Sequence, residues 1–276
     1  MITILLATYN SEKYIREQLD SLFRQTYTDW KLVIRDDCST DNTIAIIQEY
    51  MMRYPDKVSI LDNKGMSLRA YRNFYELLSG VESDYYMFCD HDDVWLPNKI
   101  EISMARMIEI EKKDVPVIVH TDMKVVDQNL KVIHDSFWTY SKLLPERTSF
   151  KEMVLCNSAN GCTMLFNQKA KEVSIPNVSY AQMHDQLVNQ SVAANGGIIS
   201  AIYTPTVLYR QHADNVIGAH ERSFMFYLKK LRSFKGVIIE NYEDWKLSTN
   251  IKDYTFISYL WVKIKVSFYK IKKYYK

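Results

Sequence analysis

Four short apolar runs, each ending in a polar cluster and separated from the next by helix-forming residues, constrain this chain more than any other feature. Residues 2–8, 31–35, 57–61 and 85–89 read as strands and 12–25, 43–53 and 67–79 as helices, with Ser11 a suitable N-cap for the first. Strands that alternate with helices of this length predict an α/β fold with a mostly parallel sheet and helices on both faces. In such sheets ligands bind outside the carboxyl ends of the strands. The polar clusters fall at those ends: Thr8, Tyr9 and Asn10 after the first strand, Asp36 and Asp37 after the second, and Asp90, His91, Asp92 and Asp93 after the fourth.

Three carboxylates within four residues repel one another at neutral pH, so something positive is expected among them. A hard divalent cation would satisfy them, because Mg²⁺ takes oxygen ligands, keeps several waters and is often held by one or two carboxylates and substrate phosphates. The same residues also suit a solvated cap for a helix opening near Pro97, where acidic groups favour the dipole. From these four residues both readings stand. Asp36 and Asp37 are similarly open. With Ser39, Thr40 and Asp41 they form a capping sequence; alternatively, the Asp37 carboxylate accepts from the ring N–H of a base on which Tyr9 packs.

The rest of the chain is less regular. Residues 115–120 read as a fifth strand, 122–133 as a hairpin broken at Asp127, Gln128 and Asn129, and 163–166 as a strand after a sharp turn. In that turn Gly161 suits a ligand close to the backbone, or a positive φ. The aromatic stretch 137–140 either covers a ligand site or simply packs, packing being favoured because aromatics are chiefly core residues. His184 and Asp185 open an apolar helix, Asp185 being either a first-turn carboxylate or a reactive group. Residues 198–202 and 207–212 are the last expected strands.

Composition is that of an ordinary globular protein, 47% hydrophobic and 25% charged. The cysteines Cys38, Cys89, Cys156 and Cys162 show no CxxC spacing and read as reduced cytosolic thiols. The N-terminus lacks a basic region and a cleavage site and reads as a first strand; no apolar run of about 18 residues predicts a membrane span. Charge is uneven: from Arg222 to Lys276 there are 13 basic and 4 acidic side chains, a surplus of +9, against −7 in the first 221 residues. In this tail Tyr254, Tyr259, Trp261, Phe268 and Tyr269 interleave with Lys263, Lys265, Lys270, Lys272 and Lys273. Such a pattern suits an interfacial helix on anionic lipid, or a helix docked on its own domain. Nucleic acid is disfavoured as a partner, because the acidic body would repel phosphate and no recognised binding motif is present.

The ordered motifs Ala7-Thr8-Tyr9-Asn10, Gln25-Thr26-Tyr27, Asp36-Asp37-Cys38-Ser39-Thr40-Asp41 and Asp90-His91-Asp92-Asp93-Val94-Trp95 resemble glycosyltransferase family 2, inverting transferases with a GT-A fold. Tyr209-Arg210-Gln211-His212 and the following residues are similar to a block in bacterial rhamnosyltransferases of surface-polysaccharide synthesis, in O-antigen or capsule. The resemblance implies a catalytic domain over 1–220, its nucleotide-binding part about 1–115 and its acceptor part about 116–220, with 221–276 a helical extension. It implies a dTDP- or UDP-linked sugar donor, rhamnose favoured, bound by Ala7, Tyr9, Asn10, Asp37, Asn73, Arg72, Asp92 and Arg210, with Arg69 an alternative to Arg72. It implies Mg²⁺ or Mn²⁺ on Asp93 first, then Asp92, Asp90 and His212. The general base is then Asp185, and the acceptor side Asn160, Gly161, Cys162, His184 and Trp95. Residues 215–218 would be a flap over the donor. The acceptor would be a glycan or a lipid-linked sugar at the inner face of the cell membrane. The alternative is a nucleotide-sugar-binding scaffold of the same fold without turnover.

Overall fold

The computed structural model describes residues 1–180, 183–212 and 234–274. Its strands are β1 (Ile2–Thr8), β2 (Trp30–Asp36), β3 (Val58–Ile60), β4 (Tyr85–Cys89), β5 (Val94–Trp95), β6 (Val117–Val126), β7 (Val132–His134), β8 (Met164–Asn167) and β9 (Ile198–Arg210). The helices are α1 (Ile15–Phe23), α2 (Thr43–Arg53), α3 (Arg69–Gly80), α4 (Lys99–Ile110), α5 (Phe137–Tyr140), α6 (Phe150–Leu155), α7 (Gln168–Ser174), α8 (His184–Ala194), α9 (Phe234–Thr249) and α10 (Phe256–Tyr274). One sheet runs in the order β3-β2-β1-β4-β8-β6-β9-β5, with β7 paired to β6. The first four strands are parallel, β8 is antiparallel to both neighbours, β6 and β9 are parallel, and β5 is antiparallel to β9.

The alternation along β1 explains why both faces are covered. Ile4 and Leu6 join one apolar cluster with Leu19, Ile47 and Ile100 from α1, α2 and α4; Leu5 and Ala7 join another with Phe74, Leu77 and Val188 from α3 and α8. Successive strand side chains point to opposite faces, so a strand buried on both sides reads as a continuous apolar run. Each fully buried Leu or Ile contributes about 1.5–3 kcal/mol relative to exposure. The aromatic stretch packs as expected, Phe137 and Trp138 being buried.

Several boundaries differ from expectation. Residues 11–14 form a turn on the Ser11 carbonyl, so α1 starts at Ile15 and Ser11 does not cap it. The two last expected strands are one 13-residue strand, β9, whose register against β6 shifts beside Asp122. The expected division at 220 and the flap at 215–218 lie outside the described residues.

Two features of this topology place the site. β1 and β4 are adjacent and end together, which brings residues 7–10 beside the acidic loop. After Cys89 the chain turns through Asp90, His91, Asp92 and Asp93 and returns as β5, whose Val94 and Trp95 pair with Leu208 and Val207 of β9. The acidic loop is therefore pinned at both ends by strands of one sheet. β9 itself begins against Pro116: Ile198 N–H donates to the Pro116 carbonyl at 2.9 Å, and a Cβ on Gly197 would stand 2.5 Å from that oxygen. Gly197→Ala is expected to cost about 1–3 kcal/mol, read as a lower urea midpoint at unchanged slope; an unaltered midpoint would show that the β6–β9 start yields freely.

Candidate active site

A cleft of about 900 Å³ opens at the carboxyl ends of β1, β2 and β4. It lies at the upper end of the range for small-molecule sites. Ala7, Tyr9 and Asn10 line it from β1, Asp37 from β2, and Asp90 and Asp92 from the acidic loop, with Asp185 and His212 arriving from later in the chain.

The nucleotide-side residues divide by burial. Tyr9 is exposed at the mouth, free to offer its ring face. Asn10 holds the next turn, its N–H donating to Ser39 Oγ at 2.8 Å and its Oδ1 accepting from Thr40 N–H at 2.9 Å. Asp37 caps α3 from outside: Oδ1 accepts from Leu68 N–H at 2.6 Å, and Oδ2 from Arg69 N–H and Ser67 Oγ at 2.8 Å each. An anion at a helix N-terminus is favourable, so this cap also fixes where α3 meets the cleft. Asp36, by contrast, ties Thr8 and Ser39 together at the strand end. Asn73 is buried and accepts from Arg35 Nη1 at 2.6 Å, holding that guanidinium 3.5 Å from Asp37.

The acidic loop faces two ways. Asp92 Oδ2 lies 2.9 Å from His212 Nε2 in the cleft wall, and the His212 ring packs on Tyr14 at 4.8 Å. Burial raises the Asp92 carboxyl, but the His212 hydrogen bond and the fields of His91 and His212 outweigh it and hold the group below its usual range. Asp93 turns inward and is fully buried; its Oδ1 accepts from Arg210 N–H at 3.0 Å, and its Oδ2 has no hydrogen-bond partner among the described residues. Burial first, then the Asp92 and Asp90 charges, push Asp93 well above the carboxylate range. Asp90 is pushed up to about 7 by burial and by the charges of Asp92 and Asp185. Ligand-capable atoms of Asp90, Asp93 and Cys162 lie within 4.8 Å of one another. An oxygen-rich set whose carboxyls resist ionising together, and which keeps one buried oxygen unpaired, fits a divalent cation.

Across the cleft, α8 presents Asp185 in its first turn. Asn157 Nδ2 donates to Asp185 Oδ2 at 3.0 Å, Gln186 N–H donates to Oδ1 at 2.6 Å, and Asn189, one turn along α8, donates to Asn157 Oδ1 at 2.7 Å. Burial pushes the Asp185 carboxyl up to about 6 in spite of these donors. His184 is stacked on Phe74 at 4.0 Å and pushed down to about 3 by burial, so it stays neutral. Both His184 ring nitrogens and Asn160 Oδ1 are buried and lack hydrogen-bond partners among the described residues.

Three expectations are corrected. Trp95 is a core residue, 2% exposed and locked in β5 with Lys99 Nζ 4.6 Å over its ring, so it takes no part in the acceptor side. Arg72 points to solvent on the outer face of α3, while Arg69, three residues earlier, lines the cleft. Arg210 does not face the cleft: its Nε donates to the Asp92 carbonyl and its Nη1 to the Gln128 carbonyl, each at 2.7 Å, and its Nη2 pairs with Glu17. Of the two readings of Gly161, positive φ does not hold; Gly161 lines the cleft, with the His184 ring packed against it. Among the metal candidates, Asp90, Asp92 and His212 line the cleft, and Asp93 joins Asp90 and Cys162 in the cluster of close ligand atoms. Sequence reading missed Asn157, Asn189, Tyr14 and Glu17 as supports; the i, i+4 spacing of Asp185 and Asn189 on one helix face was the available signal for the first pair.

Comparison with known proteins agrees with this geometry. The family model "Glycosyl transferase family 2" matches residues 3–173. The dTDP-rhamnosyl transferase RfbG of Shigella flexneri is 30% identical over 227 residues, 78% of this chain and 74% of that protein. The crystal structure of S. aureus TarS 1–349 in complex with UDP-GlcNAc aligns with a TM-score of 0.60 at 20% identity, covering 82% of this chain and 63% of that one. The mannosyltransferase PcManGT from Pyrobaculum calidifontis, in complex with GDP-Man and Mn²⁺, aligns with a TM-score of 0.53 at 14% identity, covering 92% and 65%. These solved chains share the fold.

A Cβ on Gly161 would stand 2.3 Å from His184 Nε2, and the ring is hemmed in by Phe74 stacked on it and Phe88 edge-on to it. Gly161→Ala is expected to destabilise by about 1–3 kcal/mol, with part of the loss restored in the double variant Gly161→Ala/His184→Ala. A thermal-denaturation double-mutant cycle reads the coupling, and strictly additive costs would count against this contact.

Proposed function

Because the chain belongs to glycosyl transferase family 2, we propose that its cleft carries out inverting transfer of a sugar from a nucleoside-diphosphate donor to a hydroxyl of a growing surface glycan or lipid-linked oligosaccharide. One observation carries this reading: a half-ionisable carboxyl, Asp185, faces an acidic group, Asp90 and Asp92 with His212, across a single cleft whose far wall holds Tyr9 and Asp37. Rhamnose is the favoured sugar and dTDP the favoured carrier, on the likeness to the Shigella flexneri enzyme over most of both chains. The working place is the cytoplasmic face of the cell membrane.

Each residue then has a distinct task. Tyr9 supplies a ring face for the base, and Asp37, beside it, fixes the base edge. Asp185 takes the proton of the acceptor hydroxyl as that oxygen attacks the anomeric carbon from the side opposite the leaving diphosphate. A group pushed up to about 6 is mostly ionised at neutral pH yet basic enough to accept a proton. Asn157 and Gln186 N–H aim its oxygens. A divalent cation would be held by Asp92 and His212, with Asp90 and Asp93 Oδ2 beside them, and when bound it would supply positive charge for the departing diphosphate. The imidazole in this set favours Mn²⁺ over Mg²⁺, and a solved chain of the same fold holds Mn²⁺.

Three outcomes follow from these assignments. Asp185→Asn keeps the shape and one of the two contacts, with Asn157 or with Gln186 N–H, but cannot accept a proton; turnover is expected to fall about a hundredfold or more, with sugar-nucleotide binding by calorimetry little changed. Retained turnover in this variant would remove Asp185 as base, and tight binding without turnover in the native chain would favour a scaffold. The base acts ionised, so kcat/KM should fall about tenfold per unit as pH drops below about 6. A flat profile from pH 5 to pH 8 would contradict the assignment. Asp92→Ala and His212→Ala should each weaken Mn²⁺-dependent thermal stabilisation by dTDP and UDP about tenfold or more in the midpoint concentration, while Asp93→Asn chiefly lowers stability.

A further inference from the structure

The tail helix α10 is held on the body by one face. Tyr259 and Val266 are buried, Lys151 Nζ donates to Ser258 Oγ, Tyr274 OH donates to the Leu143 carbonyl, and the Arg147 guanidinium sits 3.6 Å over the Tyr269 ring. Lys273 pairs with Glu146 at 3.2 Å. Among the described residues, the opposite face is uncovered. Ile257, Trp261, Ile264, Phe268 and Ile271 recur at i, i+4, i+7, i+11 and i+14, a single stripe on a helix of 3.6-residue period, and each is between 58% and 70% exposed. Exposed Lys265 and Lys272, seven residues apart, run along one flank. A continuous row of large apolar side chains is what soluble surfaces avoid unless something covers it.

We propose that this stripe seats α10 flat on an anionic lipid bilayer. The charge distribution selects that occupant: the segment from Arg222 onward carries a surplus of +9, whereas the first 221 residues carry −7. An anionic surface attracts the tail and repels the body, so the chain settles with α10 down. Aliphatic and Trp side chains on one face with Lys at its margin match the headgroup boundary. No helix among the described residues is long and apolar enough to cross a membrane, so the seating is on the surface. The docked face of α10 also rests on residues 143–151, and α6, which begins there, leads into the segment whose Asn160, Gly161 and Cys162 line the cleft. Lipid seating therefore places the acceptor side of the site close in the chain to the membrane contact. The binding itself does not rest on the transfer reading.

Flotation of the full chain with phosphatidylcholine vesicles, with and without about 30% phosphatidylglycerol, tests this directly. The native chain should float with the anionic vesicles, weakly with neutral ones, and less at high salt. Trp261→Glu/Phe268→Glu, at two exposed positions, should cut the bound fraction about tenfold or more, and Lys265→Glu/Lys272→Glu should remove the preference for anionic lipid. Thermal stabilisation by dTDP or UDP with Mn²⁺ should be unchanged in both, which separates loss of seating from loss of fold or donor site. Equal flotation of the Trp261→Glu/Phe268→Glu chain, or no flotation of the native one, overturns the proposal. Light scattering that shows a native dimer broken by that double variant would assign the stripe to a second copy instead.

Discussion

Asp90, Asp92 and Asp93 can stand at the end of a buried strand only because the far edge of the same sheet reaches back to hold them, and Arg210 is the residue that does so. Its N–H binds Asp93, its side chain takes the carbonyls of Asp92 and Gln128, and its guanidinium lies over Tyr14 while pairing with Glu17 of α1. A guanidinium remains charged under any physiological condition and offers five donors in a rigid fork, which suits a buried junction of three segments. Removing one partner of such a buried set leaves the others uncompensated, at a cost of about 3–5 kcal/mol. The cleft-facing Asp92–His212 pair depends on this junction, since His212 follows Arg210 by two residues and packs on the same Tyr14 ring.

The carboxyls around the cleft differ because their surroundings differ. Asp92 is held ionised by histidine, Asp90 sits near neutrality, and Asp93 resists ionisation behind them. Asp185, on another element, is raised by burial alone and moderated by the donors aimed at it. Groups of one chemical type spread over such a range can divide roles between cation binding and proton transfer. His184, also in the cleft wall, cannot join in proton transfer near neutral pH, because its burial against Phe74 and Phe88 keeps it dry and uncharged.

The parallel start of the sheet was legible because it depends on local pattern. A strand covered on both faces must be apolar throughout, and β4 was delimited to the residue. Helix starts were less legible where the cap is remote: α3 is capped by Asp37, some thirty residues earlier in the chain, and not by its own neighbours. Tyr9, Asp37, Asp90, Asp92, Asp185 and His212 were all named from the chain and all line one cleft. Arg72 and Arg210 were misplaced, because sequence shows that an arginine is present but not whether its long side chain turns to a cleft, to solvent or into a junction.

What the sequence by itself determined is the set of chemical groups and their attachment to strand ends, since strand–helix alternation forces those ends to one edge of the sheet. It also determined the amphipathic tail, a matter of helical period. Tertiary structure alone decided which carboxylate faces the cleft, that Trp95 is core, that Asn157 aims Asp185, and which face of α10 is left exposed among the described residues. Those outcomes depend on contacts between residues far apart in the chain, such as Arg210 with Asp93 and Tyr274 with Leu143, and no local pattern encodes them.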